Sequence, residues 1–303
     1  VVFASCEAGG HIPLGVVRSA LAELASLILA STENELLDWR TELRSAVGNN
    51  GHVLLDLVPE LAPVLGEQPP VPELPPREAA ARRTHVFRAF LRAATARRPL
   101  VIALDALQWV DAPTTELLVN IMTASDLPGL TILGALRDGE ASPFDAAFAE
   151  LTTRRPEAVA RVAIPALSVA GVSGIVAATL AHSEDAVASL AQVVFEKTGG
   201  NPLFVAELIE RLYRERALWL DDDRGVWAWD ERAASAIPVR HDVLALMMDR
   251  LERLEPSVRA VLEVASCQGT SFAVAPIERL IDAADVGVAM VDASAARVIA
   301  SAE

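Results

Sequence analysis

The stretch that decides the fold is Leu100-Val-Ile-Ala-Leu-Asp-Ala-Leu-Gln-Trp-Val-Asp111. Residues 100–104 are all aliphatic, and Asp105 follows them directly. A continuous aliphatic run of this length is typical of a buried strand in a parallel sheet, where both faces are covered. In such sheets ligands lie outside the carboxyl ends of the strands. The sequence therefore predicts a parallel strand that presents the Asp105 carboxylate at a ligand-binding edge.

Strand and helix patterns alternate on both sides of this segment. Three further segments have the composition of buried strands: residues 1–5, 130–136 and 159–164. Four segments predict helices: residues 13–29, 36–47, 77–98 and one that opens at 111–113. This alternation predicts an α/β fold, in which a parallel sheet is covered by helices on both faces.

After about residue 165 the pattern changes to helices alone. Asn201 followed by Pro202 is typical of a helix start, since asparagine caps the first turn and proline suits its first position. The sequence Asp221-Asp-Asp-Arg-Gly225 between two apolar pieces predicts a hairpin. We expect an α/β core over residues 1–165, a helical lid over 166–235 with the hairpin at 218–230, and a small winged-helix-like part over 236–303.

Composition excludes several classes of function. A formal net charge of −15 over 303 residues disfavours a direct nucleic-acid partner and an anionic membrane surface. The two cysteines, Cys6 and Cys267, are far apart, so we expect a reducing cytoplasm and no zinc site. Tryptophans 109, 227 and 229 are expected to pack in the core or the hairpin. No metal-binding spacing joins the five histidines, which are His11, His52, His85, His182 and His241.

The strand ending on Asp105 looks like a Walker B strand, but the matching phosphate loop is absent from the sequence. That loop has the pattern G-x-x-x-x-G-K-[ST], because its backbone N–H groups and its lysine bind the phosphates. The single lysine, Lys197, has no glycine five residues before it. We expect that a truncation removed the first strand, the phosphate loop and its helix, which leaves a P-loop NTPase-like sheet incomplete at its N-terminus.

Several stretches together resemble one family. The segment 100–111, Gly134-Ala-Leu-Arg-Asp138 and Lys197-Thr-Gly-Gly-Asn-Pro-Leu-Phe-Val205 occur in the order found in signal-transducing P-loop ATPases of the AAA/STAND kind. Residues 52–66 and Val226-Trp-Ala-Trp-Asp230 resemble the version found between a serine/threonine kinase domain and a sensor histidine kinase in large bacterial regulators. The resemblance implies ATP and Mg²⁺ as cofactors, and flanking signalling domains of the same polypeptide as partners.

The resemblance also implies roles for single residues. Asp105 would hold Mg²⁺ through water, and Arg137 would contact the γ-phosphate, a task that suits the forked guanidinium. Gly200-Asn201-Pro202 matches the G-x-P motif, whose proline packs on adenine and couples the nucleotide to the lid. Simpler interpretations remain open, because Arg137 can pair with Asp138 or Glu140 and the Gly-Asn-Pro sequence can be helix punctuation alone.

One departure from the family pattern concerns hydrolysis. The position after Asp105 usually carries a second acid that orients or deprotonates water, and here it is Ala106. This change favours a non-catalytic scaffold that has lost nucleotide binding, whereas Asp105, Arg137 and Gly200-Asn201-Pro202 favour an ATP-dependent regulatory switch. A third candidate is the ATPase portion of a LuxR-type transcription regulator.

Overall fold

The computed structural model describes residues 1–7, 12–123, 126–238, 243–268, 272–281, 283–295 and 298–299. It divides the chain into two compact units, Val1–Val162 and Ala163–Glu303. The domain boundaries expected near residues 165 and 235 stay predictions.

A parallel three-stranded sheet forms the centre of the first unit. Its strands are Val2–Ser5 (β1), Leu100–Asp105 (β2) and Leu130–Gly134 (β3), in the spatial order β1-β2-β3. Ala4 pairs with Leu104, and Leu104 pairs with Gly134. The stretch that begins at Leu100 is therefore the central strand, as its aliphatic composition predicts, and the α/β class of this unit is confirmed.

The described residues of the first unit form seven helices around these strands. They are Gly15–Leu29 (α1), Glu33–Val47 (α2), His52–Leu57 (α3), Ala62–Leu65 (α4), Pro76–Arg97 (α5), Ala112–Met122 (α6) and Pro143–Arg154 (α7). Four of them agree with the four predicted helical segments, and the helices over His52–Leu57, Ala62–Leu65 and Pro143–Arg154 were not predicted. Helix α6 begins where the sequence predicts, because the Asp111 carboxylate accepts the Thr114 N–H at 2.8 Å and Pro113 occupies the first turn.

The helices of the first unit cover one face of the sheet. Val2, Ala4, Ile102 and Leu104 point into the same core as the fully buried Phe87 and Phe90 of α5. Side chains alternate between the faces of a strand, and on the opposite face Phe3 is 57% exposed and Leu133 is 56% exposed. The prediction of helices on both faces is thus wrong for the described residues, and β3 is half-exposed rather than buried.

Residues 159–164, predicted as another strand, are not one. After a 3-10 turn at Pro156–Ala158 the chain has no regular structure up to residue 168. Val162 is 81% exposed and Ile164 is 93% exposed. A strand requires a neighbour that accepts and donates its backbone hydrogen bonds, and none of the described strands lies beside this segment. The apolar composition of residues 159–164 is therefore not sufficient to form a strand without a neighbouring strand.

The described residues of the second unit are helical apart from one hairpin. Its helices are Val169–Leu180 (α8), Glu184–Thr198 (α9), Pro202–Arg214 (α10), Glu231–Ala236 (α11), Val243–Glu252 (α12), Pro256–Ser266 (α13), Val274–Ile277 (α14) and Ala283–Ala295 (α15). Leu218–Asp221 (β4) and Val226–Trp229 (β5) form the antiparallel hairpin that the Asp-Arg-Gly turn predicts. Trp227 and Trp229 pack partly buried on the core of α8, α9 and α10, as expected.

The region from residue 243 onward has a hydrophobic core of its own. Leu254, Val258, Val261 and Ile277 are buried together there. The described residues of this region form four helices and no strand, so the winged-helix resemblance stays a prediction.

Candidate functional site

The carboxyl end of β2 places Asp105 at the edge of the sheet where ligands are expected. Asp105 is exposed, it lies beside Ser5 in the parallel register, and its Oδ1 accepts the N–H of Ala106 at 2.7 Å. No other hydrogen bond or ion pair of this carboxylate joins it to a described residue. Its second oxygen therefore has the chemistry needed to bind a water ligand of Mg²⁺.

A complete metal site is not built from side chains in the described part of the chain. No group of three or more His, Cys, Asp or Glu side chains there could hold a metal ion. His52 pairs with Asp56 at 3.3 Å, and the Nε2 of His182 lies 2.8 Å from the carbonyl oxygen of Trp227. His11 and His241 lie outside the described residues. Asp105 would thus be one Mg²⁺ contact among waters and phosphate oxygens.

Ala106 has an unusual backbone. Its φ of 56° and ψ of 38° lie in the left-handed region, where a residue with a Cβ is uncommon and Asp or Asn is best tolerated after glycine. The chain turns here from β2 into a short 3-10 turn, Leu107–Trp109. Position 106 therefore has the backbone of an Asp or Asn site but carries a side chain without polar atoms.

This 3-10 turn connects the ends of β2 and β3. The Leu107 N–H donates to the Ala135 carbonyl at 2.9 Å, and the Ala135 N–H donates to the Leu104 carbonyl at 2.8 Å. The side chain of Gln108, only 7% exposed, accepts the Arg137 N–H at 3.4 Å. This buried contact of Gln108 was not predicted from the sequence, although a polar residue within an apolar stretch was a usable signal.

Arg137 follows β3 and lies over an aromatic ring. Its guanidinium carbon is 5.6 Å from the centre of the Trp109 ring. Trp109 is 41% exposed, so the expectation that it packs in the core is wrong. Arg137 also pairs with Glu140 at 3.3 Å, as the simpler interpretation predicts, but both side chains are largely exposed and such pairs are weak. Because this pair is weak, the Arg137 guanidinium can release Glu140 and bind an anion instead.

A cavity of about 330 Å³ lies at the carboxyl end of β1. Cys6, Arg18, Glu60, Trp109 and Asp111 are among the residues that line it. Asp111 joins two helix starts there, because the carboxylate that caps α6 also accepts the Leu14 N–H at 3.3 Å, at the start of α1. Arg18 pairs with Glu60 at 3.4 Å. Among the charged residues that line the cavity, Glu7, Glu60 and Asp111 are acidic and Arg18 is basic.

The environment of Cys6 makes it a poor nucleophile. Burial, and then the carboxylates of Asp111 and Asp105, raise the pKa of the Cys6 thiol to about 11. A thiol must be deprotonated to attack, so this one is almost fully protonated at neutral pH. The geometry gives no support to cysteine-based catalysis at this edge of the sheet.

This raised pKa predicts a distinct pH dependence of alkylation. The rate of Cys6 modification by iodoacetamide should rise about tenfold per pH unit between pH 7 and 10, because the thiolate fraction does. Cys267 is exposed and should be modified first at every pH. Peptide mass spectrometry measures both rates in one sample, with unfolded chain as the control. A Cys6 rate that already levels off at pH 9 would contradict the raised pKa.

The Gly199–Pro202 loop of the second unit is held by local contacts. Gly199 ends α9 with a φ of 58°, and Gly200 follows with a φ of 73°. The side chain of Asn201 accepts the Leu203 N–H at 3.0 Å, and Pro202 is the first residue of α10. The helix-capping interpretation is confirmed, whereas a contact of Pro202 with adenine stays a prediction.

A close backbone approach explains why residue 200 is glycine. A Cβ placed there would lie 2.1 Å from the Leu167 carbonyl oxygen, and the Leu167 N–H donates to the Gly200 carbonyl at 2.9 Å. Asp105 and Arg137 lie in the first unit, and Gly200, Asn201 and Pro202 lie in the second. A site that contains both groups is therefore a proposal.

Comparison with known proteins gives a partial match. Residues 1–133, less than half of the chain, match the family model described as the AAA ATPase domain. The chain is 24% identical over 325 aligned positions to "Hybrid signal transduction histidine kinase G" of Dictyostelium discoideum; the match covers 86% of this chain and about 9% of the length of that relative. No solved structure matches the chain significantly. Among the described residues, no helix is both long and apolar enough to cross a bilayer. The chain is thus similar to AAA-type modules associated with signalling proteins.

Proposed function

We propose that this chain is part of an ATP-binding regulatory module in a multidomain signalling protein. Asp105 would hold Mg²⁺ through water, Arg137 would contact the γ-phosphate, and Gly200, Asn201 and Pro202 would form the nucleotide contact of a helical lid. The observation that carries the proposal is the Asp105 carboxylate at the tip of the central parallel strand, inside the segment that matches the AAA ATPase domain.

The phosphate-binding part of the site would come from residues outside this sequence. The connection from Cys6 to Leu14 contains no Lys, Ser or Thr, so it lacks the side chains of a phosphate loop. The exposed sheet face around Phe3 and Leu133 supports the proposal that a further strand, loop and helix complete the sheet. In this arrangement the apolar face would be covered by the added helix.

The similarity to a histidine kinase supports a signalling role over a transcription-regulator role. Flanking signalling domains of the same polypeptide are accordingly the proposed partners, with no direct nucleic-acid partner, and ATP with Mg²⁺ is the proposed ligand. A cytoplasmic location and a bacterial source stay predictions, and the relative itself comes from Dictyostelium discoideum.

One observation favours a second candidate function, a scaffold that has lost nucleotide chemistry. Ala106 has no polar side-chain atom with which to orient water. In a nucleotide-dependent switch, binding alone can still change which conformation is populated, provided that ATP prefers one of them. Slow hydrolysis would then prolong the ATP-bound state, so Ala106 argues against rapid turnover more strongly than against binding.

The test is a comparison of two acidic residues at the same edge of the sheet. In a longer protein that contains these residues and a phosphate loop, Asp105→Asn should weaken Mg²⁺-dependent ATP binding about tenfold, because a neutral amide holds a hydrated Mg²⁺ less well. Asp138→Asn is the matched control, since its side chain is fully exposed at 100%. Calorimetric titration with and without Mg²⁺ measures the effect.

The 303-residue chain provides the second arm of this experiment. Without a phosphate loop it should show no micromolar binding of Mg-ATP, because backbone N–H groups and the lysine supply most of the phosphate affinity. If Asp105→Asn and Asp138→Asn weaken ATP binding equally in the longer protein, the result would count against Asp105 as the Mg²⁺ residue. Micromolar binding by the chain alone would show that the phosphates are held in another way.

A further inference from the structure

Two cationic side chains hold the end of α11 in the second unit. Lys197 Nζ donates to the Ile237 carbonyl at 2.8 Å, and Arg211 Nη1 donates to the Pro238 carbonyl at 2.9 Å. Ile237 is the C-cap residue that directly follows α11, and Pro238 comes next, so these bonds satisfy carbonyl groups that have no partner within the helix. The start of the connection toward α12 is therefore attached to α9 and α10.

A largely buried ion-pair cluster connects α10 directly to α12. Glu207 Oε2 accepts Arg250 Nη2 at 2.8 Å, and its Oε1 accepts Arg214 Nη2 at 3.1 Å. The side chains of Glu207 and Arg250 are each only 12% exposed. Removal of one partner from such a pair leaves a desolvated charge without compensation, which is strongly unfavourable. The pair therefore fixes the position of α12 against α10.

All these contacts start from the two helices that meet at the Gly199–Pro202 loop. Lys197 is in the last turn of α9, whereas Glu207 is in the middle of α10 and Arg211 is in its last turn. Helix α10 has 13 residues and is about 20 Å long, so it moves as a rod when its first turn moves. A change in the loop angle must shift these side chains relative to Ile237 and Arg250.

We propose that Lys197, Glu207 and Arg211 form a coupling latch, which links the conformation of the Gly199–Pro202 loop to the position of α12. The latch transmits in both directions, since coupling between two places in one molecule is reciprocal. Its use by a nucleotide rests on the proposed function, but the latch itself requires no nucleotide. It gives the proposed lid a defined route to the C-terminal helices.

The test is hydrogen exchange of the 303-residue chain without nucleotide. Arg250→Gln removes the α12 partner of Glu207 and should raise exchange of backbone amides in Val243–Glu252 about tenfold. The distinctive expectation is at residues 198–203, where exchange should also rise although no residue there is changed. Lys197→Gln should produce the same two effects, because it releases the Ile237 carbonyl from α9.

Arg279→Gln is the matched control, since Arg279 is exposed and the change in charge is identical. It should leave both segments unchanged. Faster exchange at Val243–Glu252 with unchanged exchange at 198–203 would overturn the proposal, because the contact would then be local. Unchanged exchange at both segments would overturn it as well. If Arg250→Gln fails to fold, Lys197→Gln alone decides between these outcomes. A failure to bind ATP in the longer protein would leave this test unaffected.

Discussion

Ala106→Asp should raise ATP turnover about 100-fold in a longer protein that supplies the phosphate loop, because general-base or water-orienting assistance typically contributes 10²-fold or more. The wild-type residue has no group that can accept a proton or orient water. Position 106 directly follows Asp105 at the tip of β2, so an acid there lies at the same edge of the sheet as the proposed Mg²⁺ contact. The rate constant for hydrolysis at saturating Mg-ATP is the quantity to measure.

The backbone conformation at position 106 suits both the Asp substitution and its Asn control. Ala106 is already left-handed, with a φ of 56°, and Asp and Asn accept this conformation better than other residues with a Cβ. Ala106→Asn is therefore the matched control, because it has nearly the same shape and backbone preference but cannot act as a base. A rate increase in the Asp variant alone would identify the carboxylate as the active group.

The result also separates the two candidate functions. A restored rate means that the rest of the machinery is intact and that Ala106 is the single lost part, which fits a switch that keeps ATP bound. If Asp and Asn variants both hydrolyse ATP as slowly as the wild type, the water-orienting group lies elsewhere or the module was never a catalyst. The scaffold candidate would then gain support.

The elements that the sequence predicted correctly are those with a local cause. The aliphatic run before Asp105, the Asp111 cap of α6 and the Asn201-Pro202 start of α10 all act within a few neighbouring residues. Residues 159–164 show the opposite case. Their composition suits a strand, but a strand exists only beside another one, and none of the described strands lies beside this segment.

The candidate site was predictable in part for the same reason. Asp105 ends β2 and Arg137 follows β3, and the sequence could locate both strands, so their common edge followed from parallel topology. The bond between the Asp111 carboxylate and the Leu14 N–H joins residues 97 positions apart, and no local pattern reports it. The left-handed backbone of Ala106 also depends on how the turn after β2 is held against Ala135, which composition does not encode.

Gly200 and Gly199 allow the two roles of the loop, structural and functional, to be separated. Both glycines have positive φ values, 73° and 58°, so alanine is strained at either position. Their surroundings differ, since a Cβ at Gly199 would meet no atom within 4 Å whereas one at Gly200 would lie 2.1 Å from the Leu167 carbonyl oxygen. A backbone atom cannot turn aside as a flexible side chain can.

Gly200→Ala should therefore lower the free energy of unfolding by about 3 kcal/mol, whereas Gly199→Ala should lower it by only about 1 kcal/mol. Urea unfolding followed by tryptophan fluorescence measures both, because Trp227 and Trp229 pack on the core that this loop borders. Equal losses in the two variants would show that the chain relaxes around the Leu167 carbonyl. With the predicted difference, glycine at position 200 is explained by packing alone, and the adenine contact must be tested at Pro202.

The substitution Pro202→Ala should weaken ATP binding in the longer protein while stability changes little, since proline at a first helical turn contributes mainly a preset φ.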